Sequence, residues 1–319
     1  MELIRGLHNL RPRHRGCVAT MGAFDGVHLG HQAVIRHLLD KSAEYNLPSV
    51  VIVFEPLPRE YFSPLEAPAR LMSFREKFLA LETLGVDRIL RIRFTEHLQT
   101  MSAQEFIDDI FVAGLDARYI VLGDDFRFGN DREGDLPLMQ EQGRRYGFEA
   151  VPTATHASDD ERVSSTRIRE SLAAANFSEA EKLLGRPFSI SGKVVFGRQL
   201  GRTLGTPTAN LELHRLRAPL KGVYAVSVSG PGMDRVPGVA NVGTRPTVND
   251  SIKANLEVHL LDWDQDIYGK TIEVTFYHKL RDEKKFASVD ELRDNISIDK
   301  EQARAWFSQR GSDDSEDYE

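Results

Sequence analysis

Cysteine is almost absent from this 319-residue chain: Cys17 stands alone, so no internal disulfide can form, and a lone thiol suits a reducing compartment. Tryptophan occurs twice, and apolar runs such as residues 50–54 are far shorter than a bilayer-crossing segment requires. The opening residues, Met1-Glu2-Leu3-Ile4-Arg5-Gly6, lack the charged start and long apolar stretch of an export signal. Together these absences predict a cytoplasmic protein with no membrane partner. An excess of positive charge is missing too. The formal net charge is −7, but five of the 48 acids sit in the last nine residues, leaving 43 acids against 41 bases in the body. A near-neutral body without a lysine/arginine block offers no electrostatic footprint for nucleic acid. Residues 311–319 read as an acidic, disordered tail.

The remainder is ordinary globular composition, 41% hydrophobic and 28% charged, and its length predicts two domains rather than one core. In the first half, short β-branched runs at 17–21, 49–54, 88–92 and 118–122 alternate with helical periodicity at 31–45, 73–84 and 103–113. That alternation predicts βαβ units in an α/β fold, a doubly wound parallel sheet. After Leu184-Gly185-Arg186-Pro187 the texture changes to short alternating segments at 222–228, 236–242, 254–260 and 271–277, divided by Gly, Pro and Asn turns. These predict an antiparallel barrel or sandwich. A last helix over 289–307 would start at Ser288, with Glu291 completing a capping box. The expected domains are therefore 1–185 and 186–310, followed by the tail.

Directly after the first run comes Gly22-Ala23-Phe24-Asp25-Gly26-Val27-His28-Leu29-Gly30-His31, leading into a helix. Two imidazoles beside a helix N-terminus, at the carboxyl end of a parallel strand, can bind phosphate and stabilise charge developing on it. A turn with incidental histidines, or a zinc site short of a third ligand, would be the other readings. Gly123-Asp124-Asp125-Phe126-Arg127-Phe128-Gly129 follows another strand end, either as a polar turn or as part of the same site. Arg162-Val163-Ser164-Ser165-Thr166-Arg167-Ile168-Arg169 opens a further helix, as a plain N-cap or as a second phosphate clamp.

The second half carries glycines at 192, 197, 201 and 205, then Thr206-Pro207-Thr208-Ala209-Asn210. Such glycines free backbone N–H groups for phosphate, and Thr208 with Asn210 offers hard oxygen ligands for Mg²⁺; a glycine-rich hairpin would look similar. In Asn255-Leu256-Glu257-Val258-His259 the two-residue period puts Glu257 on one strand face with Asn255 and His259, as a general base or as a surface glutamate.

Taken in order, these motifs resemble the bifunctional bacterial riboflavin kinase/FMN adenylyltransferase (FAD synthetase) family over residues 3–307, with Ala23 and Thr206 departing from its usual pattern. The resemblance implies ATP-dependent phosphorylation of riboflavin to FMN on a six-stranded barrel, then adenylylation of FMN to FAD with release of pyrophosphate. It makes His28, His31 and Glu257 catalytic. It assigns Gly22, Phe24, Asp25, Gly26, Gly30, Gly123, Asp125, Phe128, Arg162, Ser165, Thr166 and Arg169 to the adenylyltransferase nucleotide. To the kinase nucleotide it assigns Gly192, Gly197, Gly201, Arg202, Thr208 and Asn210, the last two also holding Mg²⁺. Arg281 and Phe286 fall near the flavin, and Asn241-Val242-Gly243-Thr244-Arg245-Pro246-Thr247 is a further family-like segment. The partners implied are riboflavin, FMN and ATP, on a monomer or weak homo-oligomer. The rivals are a nucleotidyltransferase for another substrate with an inert barrel, and a flavin-binding sensor that consumes no ATP.

Overall fold

In a computed structural model the chain is described at residues 1–123, 126–153, 157–158, 161–197, 206–246 and 252–313. It forms two compact units, one of Met1–Pro68 with Phe74–Ser164, the other of Ala69–Ser73 with Ser165–Glu319. The expected boundary at 184–187 marks the change of texture along the chain, whereas compactness divides it at Ser164 and Ser165.

The first unit contains β1 (Glu2–Arg5), β2 (Cys17–Met21), α1 (Leu29–Tyr45), β3 (Ser49–Glu55), α2 (Pro58–Phe62), α3 (Phe74–Thr83), β4 (Arg88–Arg93), α4 (Glu96–Thr100), α5 (Ala103–Phe106), β5 (Ala117–Gly123), α6 (Leu136–Tyr146), β6 (Glu149–Thr153) and the short hairpin β7 (Ala157–Ser158) with β8 (Glu161–Arg162). Six strands pair in the order β1-β4-β3-β2-β5-β6, all parallel. All five β2 residues are buried, because this strand is central and covered on both faces, which is why it reads as an unbroken apolar run. One face packs Cys17, Ala19, Met21, Val50 and Ile52 against Ile107, Ile110 and Phe111. The chain moves outward from β2 through β3 to β4 and then restarts with β5 on the other side of β2. The carboxyl ends of β2 and β5 therefore flank the switch point where open α/β sheets bind ligands.

The second unit contains α7 (Ser165–Ala173), α8 (Phe177–Leu184), β9 (Ser189–Val195), β10 (Ala209–Glu212), β11 (Gly222–Gly230), β12 (Met233–Pro246), β13 (Ile252–Leu260), β14 (Thr271–Arg281) and α9 (Val289–Asp313). The six strands close an antiparallel barrel in the order β10-β13-β12-β11-β14-β9. Alternate residues such as Tyr224, Val226, Ala240, Val242, Leu256, Val258, Val274 and Phe276 are buried, whereas the outer row Val223, Ala225 and Val239 packs under Ala303, Trp306 and Phe307 of α9. Arg281 fastens that helix with two charge-assisted hydrogen bonds to Asp299, both 2.8 Å, and Asp299 is only 3% exposed. At the start of α9 the Ser288 hydroxyl accepts from Glu291 N (3.1 Å), while the Glu291 carboxylate accepts from Ala287 N (2.8 Å), one residue before the expected box partner.

Candidate functional site

Two clusters of polar side chains coincide with the sequence motifs, one in each unit. The first begins where β2 ends. Gly22 N still bonds to Ile52 O of β3 (3.2 Å), and then the backbone turns through left-handed conformations at Phe24 (φ 46°), Gly26 (φ 91°) and Val27 (φ 41°). A β-branched valine there is an outlier, and such strain concentrates where a chain must hold a particular shape for a ligand. The turn delivers His28 to the N-cap of α1, where its Nδ1 accepts from His31 N at 3.3 Å. That bond leaves the neutral His28 ring protonated on Nε2.

The His28 and His31 rings stack with centroids 3.6 Å apart and planes 18° from parallel, and Phe24 leans on His31 from 5.1 Å. Gly30 is a glycine for a local reason: a Cβ would sit 3.2 Å from the His28 ring and 3.4 Å from the Val163 carbonyl. His31 Nδ1 is enclosed and has no partner among the described residues. Burial above all, then electrostatic repulsion from the neighbouring His28 and Lys77, holds the His31 imidazole well below its ordinary value. A histidine kept neutral in the fold contributes stability that is complete above pH 6.5 and lost as pH falls below it, because unfolding then takes up a proton. The melting temperature should accordingly fall further between about pH 7.5 and about pH 5.5 in the native protein than in His31→Gln. Equal falls in thermal melts at the two pH values would remove His31 as the source.

Gly123 closes β5, and its carbonyl accepts from Phe126 N (3.1 Å), turning the chain toward Phe128. Asp125 lies outside the described residues. Phe128 stacks on Phe126 (5.8 Å) and meets Phe106 at a tilt (5.3 Å, 35° between planes), and the contacts continue from Phe106 to Phe54, Phe94, Tyr61 and Phe62. This aromatic wall runs along the carboxyl ends of β3, β4 and β5, and at its outer end Phe62 is 56% exposed. Sequence reading passed over it; its signal was an aromatic at or just past the end of several parallel strands.

Arg162 is an exposed residue of β8, and Ser165 and Thr166 are the first two residues of α7, one step inside the cap position. Arg169 donates to Ala69 O at 2.6 Å.

In the second unit, strand register assembles the site. Asn210 of β10 stands opposite Glu257 of β13, and Glu257 stands opposite Asn241 of β12. Residues directly opposite project to the same face, here the outer one. Asn210, Glu257 and Asn241 therefore form one row, to which Asn255 adds an Nδ2 donor on Glu257 Oε1 at 3.0 Å. The Oδ1 atoms of Asn210 and Asn241 are both enclosed without a partner among the described residues. His259 donates from Nδ1 to Pro207 O (2.8 Å), pinning the start of the Thr208–Asn210 segment. Burial holds its imidazole below the ordinary value, against the pull of that carbonyl. A Cβ on Gly197 would collide with the Asn210 carboxamide, so glycine is what lets this segment close on it.

Gly192 lies within β9, where a Cβ would come within 2.9 Å of Glu212 O; its lack of a side chain serves strand packing. Gly201 and Arg202 lie outside the described residues. The Arg281 guanidinium is engaged by Asp299 and also lies 5.4 Å from the centroid of Phe286.

Two families cover most of the chain: FAD synthetase matches residues 10–167 and riboflavin kinase matches residues 184–307. A protein of Pseudomonas fluorescens is 52% identical over 305 residues, 96% of this chain and 97% of its own length. One of Escherichia coli K12 is 50% identical over 308 residues (96% and 98%), and one of Haemophilus influenzae is 47% identical over 308 residues (97% and 100%). All three are named bifunctional riboflavin kinase/FMN adenylyltransferase. A crystal structure from Streptococcus pneumoniae, described as a macrolide-efflux protein, superposes with a TM-score of 0.75 at 32% identity, covering 96% of this chain and all of the other. Among the described residues of this chain no helix is long and apolar enough to cross a membrane.

Proposed function

The chain belongs to the bifunctional riboflavin kinase/FMN adenylyltransferase family, and from that premise we propose how its two sites divide two successive transfers. The enzyme phosphorylates riboflavin to FMN and adenylylates FMN to FAD. The kinase step belongs to the barrel domain, residues 186–310, and the adenylylation to residues 1–185.

At the barrel, the ribityl 5′-hydroxyl of riboflavin attacks the γ-phosphorus of ATP. Its proton passes to the Glu257 carboxylate, the bond from that phosphorus to the bridging oxygen breaks, and ADP leaves. The Asn255 amide aims the carboxylate. The donor set fits Mg²⁺: the Asn210 Oδ1 is enclosed and without a partner among the described residues, the Thr208 hydroxyl is nearby in sequence, and both are hard oxygens. Asn210 and Thr208 would hold Mg²⁺ there, and the ion would supply neutralisation of the charge on the ATP phosphates. Gly197 with Gly201 and Arg202 hold the phosphates, and Phe286 faces the flavin with Arg281 as its support.

At the parallel sheet, a phosphate oxygen of FMN attacks the α-phosphorus of a second ATP. The bond to the α,β-bridging oxygen breaks and pyrophosphate leaves. His28 and His31, stacked at the N-terminus of α1, donate to the phosphate oxygens as charge moves onto them. The turn Gly22, Phe24, Asp25, Gly26 and Gly30 shapes this cradle. Gly123, Asp125 and Phe128, with Arg162, Ser165, Thr166 and Arg169, complete the nucleotide contacts. No covalent intermediate is required, so positioning and charge stabilisation carry both steps. The observation that carries the reading is the pairing of a histidine stack on a helix N-terminus with a Glu257 flanked by two asparagines.

The aromatic wall ending at Phe62 suits the isoalloxazine ring of FMN. Phe62→Ala should raise the KM for FMN by roughly 2–10-fold with a smaller change in kcat. An unchanged KM in steady-state assays would place the ring elsewhere. The whole reading is tested by product accounting: ADP should form in step with FMN, and pyrophosphate in step with FAD. Pyrophosphate without FAD would point to a different acceptor. A near-neutral body and a single cysteine support a cytoplasmic protein acting on small molecules and not on nucleic acid, as a monomer or weak homo-oligomer.

A further inference from the structure

The row Asn210–Glu257–Asn241 has two different ends. Neighbouring strands lie about 4.8 Å apart, so the row spans roughly 10 Å across β10, β13 and β12. At the Asn210 end, the Gly197 backbone closes on the carboxamide and Thr208 precedes it by two residues; these are the phosphate-holding groups. At the Asn241 end the surroundings change. Gly243, two residues further along β12 and on the same face, has the Glu283 carboxylate against it. Glu283 belongs to the segment that carries Phe286, whose ring has Arg281 at 5.4 Å and Lys284 at 5.2 Å. Glu257 stands between the two ends.

Asn241 Oδ1 is an enclosed acceptor with no donor among the described residues, a state that folding alone disfavours and a ligand donor would resolve. The ATP phosphates cannot be that donor, because their ionised oxygens only accept. A divalent cation, if held by Asn210, would lie at the other end of the row from Asn241. An alcohol does donate, and the acceptor substrate is a polyol attached to a flat ring. We infer that Asn241 is a specificity-determining residue of the kinase step, its carboxamide oxygen accepting a hydrogen bond from an inner hydroxyl of the ribityl chain and thereby aligning the terminal hydroxyl with Glu257. The inference rests on the riboflavin kinase reading of the barrel and extends it to the polyol.

The test compares the full-length native enzyme with Asn241→Ala and Asn241→Leu, folding being checked by thermal melts. The KM for riboflavin should rise by roughly tenfold in both variants, with the KM for ATP and the adenylylation of supplied FMN unchanged. Lumiflavin, which keeps the ring but lacks the ribityl chain, supplies a second reading by quenching of its fluorescence on binding. Its affinity should be the same in native and variant proteins. Should either variant fold poorly, Asn241→Ser, which retains an oxygen, should show a smaller rise in riboflavin KM with the same lumiflavin affinity. Unchanged riboflavin KM, or a loss of lumiflavin binding equal to that of riboflavin, would overturn the role given to Asn241. A native enzyme that leaves riboflavin unphosphorylated would instead overturn the kinase reading beneath it.

Discussion

Replacing His31 with alanine is expected to lower the conversion of FMN to FAD by roughly 10²–10³-fold while riboflavin phosphorylation stays at the native rate. The expectation follows from where the ring lies. It is stacked on His28 at the N-terminus of α1, where unpaired N–H groups and the helix dipole already favour phosphate, and its Nδ1 has no partner among the described residues. Alanine removes both the donor and the ring that Phe24 and His28 enclose. Some local loosening should follow, so the comparison belongs with His31→Gln, which keeps a polar side chain. Steady-state assays with FMN and with riboflavin as separate acceptors decide the matter. Loss of both activities in a protein whose melt shows it folded would contradict the division into two sites.

The converse result is expected at Glu257. Glu257→Gln keeps the shape and an oxygen to accept from Asn255 Nδ2, yet it cannot take a proton from the attacking hydroxyl. Riboflavin phosphorylation should fall by roughly 10²–10⁴-fold, the range typical of a lost general base, with adenylylation of supplied FMN intact. A Glu257→Gln enzyme that still phosphorylates riboflavin within a few-fold of the native rate would show that positioning, not proton removal, is what this part of the barrel provides.

Much of the scaffold is legible in the sequence because burial on both faces leaves a plain mark. The apolar runs at 17–21 and 49–54 became β2 and β3 almost residue for residue. β1 left no such mark: Glu2-Leu3-Ile4-Arg5 is four residues long, with charged ends, at the edge of the sheet. α6 was also missed, since Pro137 and Gly143 resemble breakers, whereas the proline occupies the first turn and Asp135 caps it by accepting from Leu138 N at 3.0 Å. The helix expected over 103–113 is present but changes character. It begins as α5 and continues from Ile107 to Gly114 in wider π turns that bury Ile107, Ile110 and Phe111.

The sites divide in the same way. Histidine spacing and the Pro-Thr-Ala-Asn run are local patterns, so they survive reading in one dimension. The left-handed backbone at Phe24 and Val27 does not, because neither residue favours it and only the surrounding fold imposes it. The aromatic wall draws Phe54, Phe62, Phe94 and Phe128 from segments far apart in the chain, and the row through Asn241 exists only once β10, β13 and β12 are in register. Arg281 pairs with Asp299, eighteen residues further along, and nothing local in the sequence marks that pairing.

The central claim is that one chain performs two consecutive transfers at two separate sites. Its most direct test is to incubate the purified protein with riboflavin, ATP and Mg²⁺ and to follow riboflavin, FMN and FAD by chromatography over time. FMN should rise first and FAD follow at its expense. Riboflavin left unchanged while supplied FMN is still converted to FAD would contradict the kinase site, and FMN accumulating with no FAD would contradict the adenylyltransferase site.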